Sequence, residues 1–164
     1  MNLILIILAI IALPFILALF IRKDYAIERQ LVIDRPKQEV FDYLRHIRNQ
    51  DNYSIWVMIE PQMKKEYRGT DGTIGFVYAW EGKKAGKGEQ EITGITEGER
   101  VTMELRFEKP FKNTGHVFQA TEAVSEHSTR VTWGISGRTP YPLNLMTSLM
   151  KGSWAKTLMT ALKT

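Results

Sequence analysis

Val101-Thr102-Met103-Glu104-Leu105-Arg106-Phe107-Glu108 alternates apolar and polar side chains without a break. Successive residues of a strand point to opposite faces. Val101, Met103, Leu105 and Phe107 therefore share a buried face, and Thr102, Glu104, Arg106 and Glu108 a wet one. A strand this two-sided needs a sheet around it, and the flanking sequence supplies one. Upstream, Met63 to Tyr67, Ile74 to Glu81 and Glu89 to Ile95 read as strands, separated by the turn Gly69-Thr70-Asp71-Gly72 and a hairpin loop from Gly82 to Gly86. Phe76, Tyr78 and Trp80 are spaced by two, which puts three rings on one face. Downstream, Val117 to Val124 and Arg130 to Ser136 continue the meander, the latter with Val131, Trp133 and Ile135 inward. Ile27, Leu31 and Ile33 mark a first strand, so six or seven antiparallel strands are expected.

Helical periodicity appears at both ends of this block. Pro36 suits the first position of a helix carrying Val40, Phe41, Leu44 and Ile47 on one face, and a further helical turn is expected from Ile47 to Asn52. After Pro140 and Pro142, Leu143, Met146, Leu149, Met150, Trp154, Leu158 and Leu162 recur at three and four. Leu143 to Lys163 thus predicts an amphipathic helix roughly 30 Å long. Packed on the inward face of a curved antiparallel sheet, it makes an α+β domain.

Leu3 to Ile21 is a different kind of segment: nineteen consecutive apolar or proline residues without a charge. As a helix it measures roughly 28 Å, close to the hydrocarbon thickness of a bilayer. A cleaved signal peptide is the competing reading, but only Met1 and Asn2 precede the run and Leu19-Phe20-Ile21-Arg22 offers no small-x-small site. Arg22 and Lys23 follow directly. The expectation is a transmembrane anchor over residues 1–23, a second domain over 24–164 and, by the positive-inside bias, a cytoplasmic placement of that domain in a single-pass membrane protein.

Composition narrows the chemistry. With 164 residues, 44% of them hydrophobic, 22 Lys+Arg against 18 Asp+Glu and no Cys, the chain is too apolar to be disordered. It has no disulfide framework, acylated lipoprotein Cys, thiolate nucleophile or Cys-ligated metal. A net charge of +4 is too small and too evenly spread to point to nucleic acid. No nucleophile elbow, P-loop, HExxH or dinucleotide fingerprint occurs.

Beyond the order of elements, short motifs occur in series: Val32-Ile33-Asp34-Arg35-Pro36-Lys37-Gln38-Glu39-Val40-Phe41, Trp56, Pro61-Gln62-Met63, Tyr67-Arg68-Gly69, Asp71-Gly72-Thr73-Ile74-Gly75, Trp80-Glu81-Gly82, Gly86-Lys87-Gly88, Phe107-Glu108-Lys109-Pro110-Phe111 and Val131-Thr132-Trp133. From about Ala26 to Lys163 the chain resembles the START-like (SRPBCC) superfamily in its polyketide cyclase/dehydrase-like branch. At the end it departs from that branch, with Lys151-Gly152-Ser153-Trp154-Ala155-Lys156 where an acidic, Gly- and Phe-containing helix is usual. The resemblance implies a helix-grip fold, a curved sheet wrapped around the C-terminal helix.

A sheet that wraps a helix without filling the space between them leaves an elongated apolar pocket. Its candidate lining is Trp56, Phe76, Tyr78, Trp80, Met103, Leu105, Phe107, Phe118, Trp133, Met146, Met150 and Trp154. Ordinary core packing is the alternative for each of them. Tyr78 is the polar handle, its hydroxyl either orienting a ligand or ending in a core hydrogen bond. His46, His116 and His127 read as solvated or edge residues, and Glu81 and Glu91 as outer-face carboxylates, so no catalytic residue, metal ligand or cofactor is assigned. The expected partners are the membrane, through residues 3–21, and an apolar or amphipathic small molecule such as a lipid. A cyclase- or dehydratase-type enzyme and a protein-interaction module with a filled pocket remain alternatives, and oligomeric state is open. Basic loops around Lys64, Lys65, Arg68, Lys83, Lys84, Lys87, Lys109 and Lys112 read either as solubility or, if gathered near the bilayer, as lipid contacts.

Overall fold

In a computed structural model the chain is described from residue 2 to residue 145, apart from the side chains of residues 2, 4, 9, 55 and 56. Helix α1 (Asn2–Phe20) comes first, then strand β1 (Asp24–Ile33) and helix α2 (Lys37–Arg45). A 3-10 turn (Ile47–Asn49) and the short helices α3 (Gln50–Tyr53) and α4 (Ile55–Met58) form a corner. Six strands follow: β2 (Lys64–Arg68), β3 (Val77–Glu81), β4 (Lys87–Thr96), β5 (Arg100–Lys109), β6 (Asn113–Ser125) and β7 (Ser128–Arg138).

The seven strands form one sheet in the order β1-β7-β6-β5-β4-β3-β2, every neighbouring pair antiparallel. From β2 to β7 it is a meander; β1 then closes on β7, so the two earliest strands are its two edges. One face is apolar. Ile27, Ile92, Val101, Met103, Val117 and Val131 lie in a continuous buried core. Helix α2 covers one end of that face with Val40, Phe41 and Leu44. Its last residue, Arg45, donates to the carbonyl of Gly72 at 2.9 and 3.2 Å and pairs with Glu97 at 2.8 Å. Asp71 accepts from the backbone N–H groups of Ile47 at 2.9 Å and Arg48 at 3.3 Å, which fixes the corner against the β2–β3 connection.

Two expectations shift in detail. The strand expected from Ile74 begins only at Val77, because Gly75 adopts φ 87° and the Phe76 N–H turns back to the Thr73 carbonyl at 3.2 Å. Phe76 is nonetheless fully buried, held by the exchange of hydrogen bonds between Gly75, Phe76 and Ile92. The helical segment after α2 extends beyond Asn52 through α3 and α4. The long helix expected from Leu143 to Lys163 lies, after residue 145, outside the described residues.

Helix α1 has no charged residue and carries Pro14 inside it. Most of its large side chains point away from the rest of the protein; Leu3 is 70% and Phe20 84% exposed. Among the described residues no helix is long and apolar enough to cross a membrane; the backbone of α1 is helical over all nineteen residues. Its C-terminal end is fastened to the domain. Ala18 is buried, and the Asn144 side chain donates to the carbonyls of Ala18 and Ile21.

Candidate ligand site on the inner face of the sheet

Register decides which residues share the inner face. Tyr67 pairs with Tyr78, Tyr78 with Gln90 and Gln90 with Leu105, while Trp80, Gly88 and Phe107 form the next row. The rings make a continuous wall: Tyr67 stacks on Phe76 at 6.2 Å and on Tyr78 at 5.4 Å, Tyr78 meets Trp80 at 5.8 Å, and Trp80 meets Phe107 edge-on at 5.9 Å between centroids. Offset and edge contacts of this kind hold rings in fixed orientations. Trp80 is fixed twice, by its indole N–H on the Ala85 carbonyl at 3.2 Å and by lying over Gly88, where an added Cβ would come within 2.7 Å of the ring.

A second group lies further along the face. Gln119 and Trp133 are register partners on β6 and β7, Tyr53 lies edge-on to Trp133 at 6.4 Å, and the Gln119 side-chain amide donates to the Tyr53 hydroxyl at 3.3 Å. Three buried polar atoms here lack a hydrogen-bond partner among the described residues: the Tyr78 hydroxyl, the Trp133 indole N–H and the Gln119 carbonyl oxygen. Burial raises the Tyr78 phenol above its ordinary pKa, with the Asp51 charge adding to the effect. Burial also raises Tyr53, against the opposing hydrogen bond from Gln119. Both phenols are thus neutral hydrogen-bonding groups at physiological pH. An apolar wall with a few convergent donors and acceptors is the usual make-up of a small-molecule pocket.

Phe76, Tyr78, Trp80, Met103, Leu105, Phe107 and Trp133 are brought together on this face, as their spacing predicts. Phe118 is not. It pairs with Thr102 and Gly134 on the opposite face, where the Arg100 guanidinium sits 4.4 Å from its ring centroid. Since Val117 and Phe118 are adjacent, only one can face inward, and the smaller residue does. The side chain of Trp56 is undescribed, and Met146, Met150 and Trp154 lie outside the described residues. Tyr25, Tyr53, Tyr67, Gln90 and Gln119 were not expected in the site, although Tyr67, Gln90 and Gln119 are in phase with its strands. Tyr25 lies across Gly137, where a Cβ would be 2.7 Å from its hydroxyl.

The outer face is charged. Arg106 holds Glu89 at 2.8 Å, Glu91 at 2.6 Å and Glu104 at 2.7 Å, and Arg68 bridges Glu66 and Glu89. A groove of about 180 Å³ beside them is lined mainly by charged residues from Lys64 to Glu108, together with Ala79, Trp80 and Gly88. His46 bonds the Asp42 carbonyl at the end of α2, His116 faces outward opposite Glu104, and His127 is in the β6–β7 turn. Among the described residues no three His, Cys, Asp or Glu are grouped to hold a metal ion.

Solved structures share the fold of this sheet and its helices. The protein Mll3558 from Rhizobium loti matches with a TM-score of 0.62 at 13% identity, over 85% of this chain and 94% of that one. The fold is of the helix-grip type. CalU16 from Micromonospora echinospora has the same helix-grip frame, with a TM-score of 0.54, 15% identity and coverage of 82% and 72%. So has the major latex-like protein 151 of Panax ginseng, at 0.53, 14%, 84% and 97%. No family model and no curated protein matches the sequence. At these identities the helix-grip likeness establishes architecture, and function rests on the site.

Proposed function

We propose that this protein is a membrane-anchored helix-grip domain that holds an apolar or amphipathic small molecule, a lipid or membrane-derived metabolite, against the inner face of its sheet. The observation that carries the reading is the Tyr78 hydroxyl, buried within an aromatic wall and without a partner among the described residues. An unpaired buried hydroxyl costs about 1–3 kcal/mol, a cost relieved when a ligand accepts from it. Trp133 and Gln119 offer a second polar contact in the same wall.

The anchor is α1. Nineteen helical residues without a charge span roughly 28 Å, and their exposed side chains suit hydrocarbon rather than water. Arg22 and Lys23 directly after it favour a cytoplasmic domain by the positive-inside bias. Tethering raises the local concentration of any membrane-derived ligand near the site. The enzyme alternative has less support, since acid–base chemistry needs a titratable group within reach of the substrate. The carboxylate beside the aromatic wall, Asp51, is engaged by Lys65 at 2.8 Å and by the Tyr67 hydroxyl at 3.5 Å, and the inward strand positions among the described residues add neither His nor carboxylate.

Native mass spectrometry of the full chain, released from detergent before and after organic extraction, tests the reading. Lipid-sized adducts are expected, removed by extraction, weakened by Tyr78→Phe and abolished by Gly115→Leu. Gly115 lies on the same inner face as Leu105, where a Cβ would already be in van der Waals contact at 3.5, 3.6 and 3.9 Å, so the longer side chain must push into the wall the ligand would lie against. An apo mass that no lipid extract shifts would sink the proposal.

A further inference from the structure

The strand directions sort every connection to one of two ends of the sheet. The 21–23 linker, the β3–β4 loop (82–86) and the β5–β6 loop (110–112) lie at the end where α1 joins. These three carry Arg22, Lys23, Lys83, Lys84 and Lys112, and the α4–β2 connection (59–63) at the same end adds one carboxylate, Glu60. The connections at the far end, 34–36, 69–76, 97–99 and 126–127, carry Asp34, Asp71, Glu97, Glu99 and Glu126 against Arg35, with Arg45 of α2 paired to Glu97. The charge is therefore polarised along the strands, although the whole chain is nearly balanced.

The basic end is also shaped. The Glu60 carboxylate accepts from the backbone N–H groups of Lys83, Lys84 and Ala85 at 3.1, 2.8 and 3.0 Å, which clasps the β3–β4 loop and leaves both lysine side chains exposed. None of the five basic residues makes an ion pair among the described residues, whereas Lys87 and Lys109 in the adjoining strands are paired with Glu108 and Glu81. Beside Lys112, Phe111 is 54% exposed at the loop tip. Unpaired cations around a projecting aromatic ring fit a bilayer interface, where cations meet anionic headgroups and rings lie at headgroup level.

We propose that this end of the domain docks on an anionic lipid surface through the 82–86 and 110–112 loops, with Phe111 inserted at headgroup depth. The proposal rests on α1 being the membrane anchor. That anchor brings the loops to the bilayer, and the loops then set the domain's orientation on it. Charge complementarity selects the occupant, because the far end would be repelled by the same surface.

Hydrogen exchange on the full chain in nanodiscs tests it, comparing phosphatidylcholine alone with discs in which about a third of the lipid is phosphatidylglycerol. Exchange in 82–86 and 110–112 is expected to slow about ten-fold in the anionic discs and to recover at about 0.5 M salt, with 97–99 unchanged. Lys83→Glu with Lys84→Glu removes the protection while the chain stays in the disc. Incorporation into both discs with equal exchange in both overturns the docking and leaves the anchor standing. Failure to incorporate into either disc overturns the anchor and the docking with it. Protection given equally in neutral discs by added soluble glycerol phosphate assigns the loops to a free anion and overturns the lipid surface.

Discussion

Asn144 caps α1 through Ala18. Its side-chain N–H₂ reaches the Ala18 carbonyl at 2.6 Å and the Ile21 carbonyl at 2.9 Å, and both Asn144 and Ala18 are buried. A helix leaves its last carbonyls without intrahelical partners, and here a residue from beyond β7 supplies them. The chain segment that leaves the sheet is thereby pinned where the N-terminal helix enters it.

Replacing that amide leaves buried carbonyls unpaired, so Asn144→Ala is expected to destabilise the domain by about 1–3 kcal/mol. Thermal unfolding of the full chain in detergent should show a fall of several degrees. Hydrogen exchange should rise first at residues 18–25. An unchanged midpoint would mean that α1 and the domain are fastened by other contacts.

Tyr78→Phe separates a ligand-orienting hydroxyl from a core hydrogen bond. With no partner among the described residues to lose, the extracted protein should be as stable as the parent or up to about 1 kcal/mol more stable in denaturant unfolding, while ligand adducts weaken. A loss above about 1 kcal/mol would assign the hydroxyl to the core.

On the outer face, Phe118 lies so close over Gly134 that an added Cβ would overlap its ring. Gly134→Ala should therefore cost about 1–3 kcal/mol by displacing the ring from Arg100. Most of that cost should vanish when Phe118→Ala is made as well, a coupling that a double-mutant cycle reads directly. Additive effects would show that the glycine matters for its backbone instead.

The three amides from Lys83 to Ala85 hold the Glu60 carboxyl below the usual carboxylate range. A depressed folded-state pKa contributes stability that is present above the unfolded value and lost as pH falls through the folded one. The β3–β4 loop should accordingly keep slow exchange at neutral pH and loosen only in acid, below the ordinary Glu range. Glu60→Gln should loosen it at every pH. Loosening centred near neutral pH would point to another group.

Alternation made the sheet legible before any coordinates. The pattern from Val101 to Phe107 and the spacing of Phe76, Tyr78 and Trp80 correctly assigned inward faces, because a half-buried strand repeats every two residues. The same rule held the signal for Phe118, where hydrophobicity pointed the other way. Tyr67, Gln90 and Gln119 were harder to see, since polar atoms on a buried face look like surface residues until register brings their neighbours together. The polarity of the two sheet ends was not legible either, because it depends on which loops share an end.

The edge position of β1 also sets an order of assembly. Its partner along the whole of Asp24 to Ile33 is β7, the last strand made. If α1 is the anchor proposed above, it enters the bilayer at once during synthesis, while β1 must wait with an unpaired edge until nearly the whole meander has formed. Such an edge is an invitation to intermolecular pairing in free solution. A nascent chain already held by its first helix meets fewer partners, so insertion before folding would act as a chaperone for the slowest contact in the sheet.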